Sequence, residues 1–263
     1  MILFAVYCLL TGALAGFLAG LFGIGGGLVI VPVLVHLLPQ IGIPEPLLMN
    51  VALGTSFATI VITAFSSAQR HHKLGNVDWQ ASKYLIPSLM ISVFIAGLFI
   101  SFLPKSITSK LFAFMVLYLA IKMLLSIKHK TGNRALTAKQ GIVGGVLIGA
   151  VSSFAGIAGG AFIVPFLNAR GLEMKRAIGT SSFCGMLLGL SGMISFVVSG
   201  LNIADLPPYS LGYVYLPAVL LITLVSFFTS KFGATLTTKL PVSTLKKAFA
   251  VWLCLVAIKM LLG

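Results

Sequence analysis

Acidic side chains are scarce in this sequence. Of its 263 residues only four are Asp or Glu, and all charged residues together make up 8%. A soluble globular domain carries about a quarter of its residues as charged side chains, so a soluble globule is excluded. All four carboxylates lie in predicted loops, which leaves no apolar segment with an acidic side chain to bind a cation or relay protons. The four are Glu45, Asp78, Glu173 and Asp205.

Cysteine is equally scarce. The chain has three cysteines, Cys8, Cys184 and Cys254, and each lies in an apolar stretch. Their spacing fits neither a disulfide framework nor a metal site. We therefore expect small buried hydrophobic residues at these positions, with no bound metal and no cofactor.

Hydrophobic residues, in contrast, make up 59% of the chain, and the mean hydropathy is +1.11. Both values are typical of an all-α polytopic membrane protein, in which about 20 apolar residues cross about 30 Å of hydrocarbon. Two long apolar regions, 2–38 and 138–168, each carry a glycine cluster near the middle. Six further apolar runs have the length of plain spans: 47–68, 84–103, 110–127, 177–199, 212–230 and 242–262.

The glycine clusters belong to an internal repeat. Residues 23–32 read GIGGGLVIVP, and residues 156–165 read GIAGGAFIVP. Shorter matches follow, pairing 54–56 with 179–181, 86–87 with 216–217, 103–104 with 240–241 and 120–125 with 257–262. The chain thus divides into a first transmembrane repeat at 1–127, a cytoplasmic linker at 128–137 and a second repeat at 138–263.

A glycine cluster at membrane depth predicts a broken helix. Every backbone polar group in lipid must be satisfied internally, so such a break normally lines a cavity walled by protein. Paired breaks in corresponding halves point to the binding site of a transporter. Close helix packing through small residues is the alternative for these glycines. A dinucleotide-binding loop is disfavoured, because no strand and no acidic ribose partner accompany the glycines.

The distribution of basic residues decides how the broken segments cross. If each crosses once, the 18 Lys and Arg residues divide nine to each side and give no orientation. If each enters and returns as a hairpin, one side keeps only Lys105, Lys110 and Lys259, and the other fifteen collect on the opposite side. The positive-inside rule favours this hairpin arrangement, with the basic side cytoplasmic. Each half then holds a broken-helix hairpin and three spans, and the two halves are inverted repeats.

The hairpin tips are predicted near the middle of the membrane. The second limbs would present free backbone N–H groups and the positive end of a helix dipole to a shared cavity, which suits an anion. Nearby hydroxyl groups can donate hydrogen bonds to an oxyanion without bringing charge into lipid. The predicted substrate-binding residues are Gly25, Gly26, Gly27, Thr55, Ser56, Gln69, Ser153, Gly159, Gly160, Thr180 and Ser181.

The polar members of this set have a structural alternative. Hydroxyl groups in spans also bond to their own helix or to a neighbouring helix. Two adjacent histidines, His71 and His72, stand beside Arg70 and Lys73. We interpret them as part of a solvated basic loop at the cytoplasmic mouth, which could attract anions, and not as a metal site.

Together these motifs resemble the TauE/SafE family of sulfite exporters. The resemblance rests on the glycine tract at 23–27 with Val31-Pro32, on Gly54-Thr55-Ser56, and on the repeats of both in the second half. It covers essentially the whole chain. It implies movement of small sulfur oxyanions such as sulfite, or of organosulfonates, out of the cell. Ala158 replaces a glycine of the second tract, so the resemblance does not imply equal roles for the two hairpins.

The sequence thus predicts a secondary transporter of the cell membrane that exports a small sulfur-containing anion by alternating access. An anion channel or an importer using the same site is the alternative. An enzyme is disfavoured, because no cluster of His, Asp, Glu or Cys lies within the spans to do acid-base or nucleophilic work. The expected partners are the small anion and membrane lipid. The net charge of +14 reflects the membrane topology, so no nucleic acid is expected, and the apolar outer faces permit a homodimer.

Overall fold

The protein is a bundle of α-helices with one small β-hairpin. The computed structural model describes residues 2–125, 136–237 and 242–262. Within them, two single-turn 3₁₀ helices lie at Leu38–Ile41 and Glu45–Leu47, and strands β1 (Ser210–Leu211) and β2 (Val214–Tyr215) pair antiparallel. The α-helices are α1 (Ile2–Phe22), α2 (Gly27–Leu37), α3 (Leu48–Lys73), α4 (Trp79–Ser101), α5 (Lys105–Leu124), α6 (Ala138–Ala155), α7 (Gly160–Asn168), α8 (Met174–Gly200), α9 (Leu216–Leu236) and α10 (Val242–Leu262).

Among the described residues, seven helices are long and apolar enough to cross a membrane, namely α1, α3, α4, α5, α6, α8 and α9. The tenth helix has the same length as α1 and α9, but its sequence carries three lysines. All six predicted plain spans are found as helices. The span expected from residue 212 begins instead at Leu216, because the preceding residues form the β-hairpin. The chain is therefore an all-α, multi-pass membrane protein. The predicted linker at 128–137 lies largely outside the described residues.

Helix starts are fixed by local capping. The carboxylate of Asp78 accepts a hydrogen bond from the amide of Ala81 (2.8 Å) and caps α4. Thr137 and Gln140 form a capping box at the start of α6. Such caps satisfy amide groups that have no partner within the helix. Short polar motifs therefore set where the chain enters the bundle.

Both glycine tracts break their helices as predicted. The first separates α1 from α2, and the second separates α6 from α7. The two limbs of each broken segment differ in length, which the sequence did not indicate. Helix α1 has 21 residues and α6 has 18, whereas α2 has 11 and α7 has 9. The first limbs are thus long enough to cross the hydrocarbon, and only the second limbs are short.

The direction of α1 follows from its contacts with α9. Gly12 lies against Ile222, and Gly20 lies against Ser230. Contacts that advance together along both helices mean that the helices run parallel. Glycine allows this close approach, because a side chain at either position would overlap the backbone of α9.

Helix α3 also runs parallel to α9. The hydroxyl groups of Thr63 and Ser226 lie 2.7 Å apart, and Arg70 Nε donates to Thr235 Oγ1 at 3.0 Å. Helices α1 and α3 therefore point in the same direction, and the chain must reverse between them. This reversal makes α1 and α2 a hairpin.

The second half repeats this arrangement against a helix of the first half. Helix α6 packs along α4 as α1 packs along α9, and α8 packs along α4 as α3 packs along α9. Helix α2 packs on α3, and α7 packs on α8. Helix α6 runs parallel to α4, because Gly141 contacts Tyr84 and Gly149 contacts Leu89 and Ser92. Helix α8 also runs parallel to α4, because Ser191 bonds to Met90 and Ser195 to Phe94. The chain therefore reverses direction at the second break also.

Two sequence-based expectations need correction. His71 does not lie in a solvated loop, because α3 continues through Lys73 and buries the imidazole completely. Its Nε2 atom faces the carbonyl oxygen of Gly20 at 3.3 Å, where α1 has no side chain to cover its backbone. The match of 86–87 with 216–217 is also out of structural register. Pro87 lies well inside α4, whereas Pro217 lies in the first turn of α9.

Candidate functional site

The two breaks are built from glycines in the left-handed backbone region. Gly23, Gly25 and Gly26 have φ angles of 71°, 73° and 82°, and Gly156 and Gly159 have 55° and 71°. Residues with a Cβ atom rarely adopt this region. Ala158, which stands where the first tract has Gly25, is not among the residues with positive φ. The two turns are therefore similar but not identical.

The breaks of the two repeats touch each other. A side chain at Gly25 would overlap the methyl group of Ala158. A side chain at Gly27 would overlap the carbonyl oxygen of Gly156, and one at Gly160 would overlap that of Gly23. Because these contacts are reciprocal, the same residues of each tract meet the other tract. The structure thus brings together the predicted residues Gly25, Gly27 and Gly160 at one place.

Two serines exchange hydrogen bonds between the repeats. Ser56 Oγ on α3 donates to the carbonyl oxygen of Gly156 at 2.9 Å. Ser181 Oγ on α8 donates to the carbonyl oxygen of Gly23 at 3.1 Å. Both hydroxyl groups are fully buried. Each repeat therefore holds the break of the other repeat, and the hydroxyl protons expected for an anion are engaged by carbonyl oxygens in this arrangement.

The neighbouring threonines hold the starts of helices. Thr55 Oγ1 accepts from the amide of Tyr215 at 3.0 Å, and Thr180 Oγ1 accepts from the amide of Asp78 at 2.9 Å. Tyr215 precedes α9 and Asp78 precedes α4. The duplicated threonines thus perform the same structural task in both halves, tying α3 to the start of α9 and α8 to the start of α4, each in the opposite repeat.

At the two breaks, four backbone amide groups precede the first hydrogen bonds of helices α2 and α7. In α2 the first helical bonds run from Val29 and Ile30 to the carbonyl oxygen of Gly26. In α7 they run from Phe162 and Ile163 to that of Gly159. The amides of the first two residues of each helix precede these bonds. The positive end of each helix dipole is therefore buried beside the contact between the breaks.

Two further predicted residues lie elsewhere or are already engaged. Ser153 is fully buried, but its Oγ donates to the carbonyl oxygen of Val93 at 3.1 Å. Gln69 lies on the exposed face of α3 and is not brought together with the other candidates. Ser152, next to Ser153 on α6, is fully buried and its Oγ has no hydrogen-bond partner. The sequence prediction named Ser153 and missed Ser152, because adjacent serines differ only in the helix face they occupy.

The site has no charged side chain. Across the described ranges, no Lys, Arg, Asp or Glu is buried, and the buried polar residues are Ser, Thr, Asn and His71. The ion pair of Asp78 and Arg176 (2.8 Å) lies at the surface end of α4 and α8. The polar groups that the described part of the bundle buries are therefore backbone amides, hydroxyl groups, Asn side chains and the His71 imidazole.

Paired broken helices inside a multi-pass bundle define a membrane transporter of the broken-helix class. Comparison with known proteins gives the family. A family model described as "Sulfite exporter TauE/SafE" matches residues 8–260. The chain belongs to this family.

Its relatives carry transporter names. A "Probable membrane transporter protein" of Haemophilus influenzae is 65% identical over the full length of both chains. The "Probable membrane transporter protein MJ0441" of Methanocaldococcus jannaschii is 32% identical, covering 88% of this chain and 86% of that protein. The "Probable membrane transporter protein YunE" of Bacillus subtilis is 27% identical, covering 74% and 79%. No solved structure matches this chain.

Proposed function

We propose that the protein exports a small sulfur-containing anion, sulfite or an organosulfonate, from the cytoplasm by alternating access. The substrate would bind at the junction of the two breaks. The observation that carries this proposal is the reciprocal contact of the breaks around Gly25 and Ala158. It brings the N-termini of α2 and α7 together inside the bundle, and helix N-termini are ready-made sites for anions.

The direction of α3 and α8 supports an inverted repeat. Gly54 lies against Phe196, and Ser67 Oγ lies 3.1 Å from Ser182 Oγ. These contacts move in opposite senses along the two helices, so the helices run antiparallel. A two-fold relation between antiparallel spans has its axis in the membrane plane, which is the symmetry of many alternating-access transporters.

The serine hydrogen bonds between the repeats are consistent with a closed state of an alternating-access cycle. Ser56 and Ser181 each fasten the break of the opposite repeat. If one repeat rocks against the other, access to the substrate would open at these two hydrogen bonds and at the contact between the breaks, from either side of the membrane. The amide groups near Gly25, Gly26, Gly27, Gly159 and Gly160 would hold the anion at this point.

The membrane potential would set the direction of anion transport. An inside-negative potential contributes about 2.3 kcal/mol per elementary charge per 100 mV, so net outward movement of an anion is downhill. No buried carboxylate is needed as a proton relay. The family is described as one of sulfite exporters, which supports sulfite as the first substrate to test.

Efflux from proteoliposomes tests this proposal. Vesicles loaded with labelled sulfite should lose it faster than protein-free vesicles, and faster still when an inside-negative potential is imposed. No stimulation by the potential would reject electrogenic export. Flux far above carrier turnover and proportional to voltage would favour a channel, and net accumulation against the outward gradient would favour an importer.

A further inference from the structure

We infer that, within the junction of the two breaks, the anion is held mainly by the second break, through the Ser152 hydroxyl and the first amides of α7, and that this half-site takes a singly charged oxyanion. The inference rests on the proposed function, because it assigns that binding event to one repeat and one charge class. It differs from the sequence prediction, which shared the substrate between both breaks and named Ser153.

Ser152 is the observation from which the inference starts. Its side chain is fully buried, and its Oγ has no hydrogen-bond partner among the described residues. A buried hydroxyl without a partner costs about 1–3 kcal/mol, so native proteins seldom keep one without a use. The neighbouring Ser153 differs, since its hydroxyl donates to Val93.

The free hydroxyl is aimed at the start of α7. Ser152 Oγ lies 3.1 Å from the position that a Cβ atom would occupy on Gly159. Gly159 is the N-terminal cap of α7, in the left-handed region at φ 71°. The amides of Gly160 and Ala161 precede the first helical bonds of α7. The free hydroxyl and the residues that carry the first two amides of α7 are thus neighbours of the same residue, Gly159.

The first break does not offer this combination. With the offset of 133 residues that aligns the tracts, Ser152 corresponds to Ala19 and Ser153 to Gly20. Neither of these residues has a side-chain donor. The first break instead approaches His71, whose Nε2 faces the Gly20 carbonyl oxygen. The two halves are alike in backbone but not in hydrogen-bond donors.

The surroundings set the charge of the ligand. The same point at Gly159 is approached by the methyl carbons of Leu188 (3.0 Å) and Ile163 (3.1 Å). No Lys or Arg is buried within the described chain. Desolvating an ion costs energy that grows steeply with its charge, and amide and hydroxyl dipoles compensate one charge far better than two. A monoanion such as an alkylsulfonate or bisulfite matches these neutral donors, and the alkyl group of an alkylsulfonate would contact Leu188 and Ile163.

Binding of two anions to the purified full-length protein tests whether the protein binds an oxyanion and whether it prefers a singly charged one. Methanesulfonate carries one charge and sulfate carries two, and neither changes charge near neutral pH. At equal ionic strength, methanesulfonate should raise the melting temperature in a concentration-dependent way, and sulfate should not. A sulfate shift equal to that of methanesulfonate would overturn the charge assignment.

Two adjacent alanine variants then separate binding from structure. Ser152→Ala should raise the Kd of methanesulfonate about tenfold or more, because a hydrogen bond to a charged group is lost, with little change in the melting temperature of the ligand-free protein. Ser153→Ala should do the opposite, lowering the ligand-free melting temperature through the lost bond to Val93 while leaving the Kd unchanged. Ser152→Cys, with a weaker donor of similar size, should give an intermediate Kd.

The outcomes separate a failure of the Ser152 half-site from a failure of the proposed function. If the unmodified protein exports sulfite and binds methanesulfonate, but Ser152→Ala and Ser152→Cys leave the Kd unchanged, the Ser152 half-site is rejected and the proposed function stands. If the unmodified protein neither binds these anions nor exports sulfite, the proposed function is rejected and the half-site with it. Should Ser152→Ala not fold, the Kd of Ser152→Cys decides.

Discussion

At the scale of single residues, backbone carbonyl oxygens shape the centre of this protein as much as side chains do. The carbonyl oxygens of Gly23 and Gly156 are each met by a serine hydroxyl and by a glycine of the opposite tract. Glycine is required at these contacts because a side chain would overlap the facing backbone. The residues that bring the repeats together are therefore ones without side chains or with the smallest polar side chains.

Gly160→Ala tests this close approach. The added methyl group would overlap the carbonyl oxygen of Gly23, which is backbone and cannot rotate away. We expect the melting temperature in detergent to fall by several degrees, corresponding to about 1–3 kcal/mol or more for an overpacked site. Val143→Ile is the control, since it adds one carbon on the exposed face of α6. Equal effects of the two substitutions would show that the tracts do not touch as described.

Ser181→Ala tests the crossed hydrogen bonds. Removing the hydroxyl leaves the buried Gly23 carbonyl oxygen without this donor, which should destabilise the protein by about 1–3 kcal/mol. Ser56→Ala should have a similar effect through Gly156. The control is Ser199→Ala on the same helix, because the Ser199 hydroxyl bonds only within α8. Thermal unfolding followed by intrinsic fluorescence measures all three, and a Ser181 effect no larger than that of Ser199 would contradict the account.

At the scale of helices, regularly spaced small residues join elements from different halves. Gly12, Gly16 and Gly20 line α1 where it meets α9, and Gly141, Gly145 and Gly149 line α6 where it meets α4. In a membrane, packing of this kind replaces the hydrophobic effect as the force between helices. The first limb of each hairpin is thereby fixed to a span of the other repeat.

Leucine in either glycine row should separate these helix pairs. Gly16→Leu would meet Thr229 and Ser226, and Gly145→Leu would meet Ser88 and the backbone at Leu85. Both variants should lose monodisperse protein in size-exclusion chromatography and melt at lower temperature. Val143→Leu, on the exposed face of α6, adds similar bulk outside the contact and should behave like the unmodified protein. A normal elution profile for Gly16→Leu and Gly145→Leu would contradict the parallel packing.

The sequence pattern predicted which helices form better than it predicted where they begin and end. The glycine tracts and apolar runs were readable because in lipid only a helix satisfies the backbone, so any interruption stands out. The start of α9 was not readable, since the residues just before Leu216 continue the apolar run yet lie in the β-hairpin. The burial of His71 depends on the bare backbone of Gly20 on another helix, and the roles of Ser152 and Ser153 depend on which neighbour each one meets. Contacts between distant segments carry no local signal.

At the scale of the whole molecule, topology and chemistry follow from one arrangement. Two hairpins enter the bundle, their breaks touch, and the spans that carry Ser56 and Ser181 run antiparallel between them. The distribution of basic residues predicts that the loop before α3 lies outside and the loop after α7 lies in the cytoplasm. The proposed transport mechanism requires this opposition, because access can alternate only if the two breaks approach from opposite faces.

Cysteine accessibility of these two loops tests that requirement most directly. Gln40 and Ala169 are exposed and lie just after α2 and α7. In a background with Cys8, Cys184 and Cys254 replaced, a membrane-impermeant maleimide should label Gln40→Cys in intact cells and Ala169→Cys only after permeabilisation. Labelling of both positions from the same side of the membrane would contradict the account.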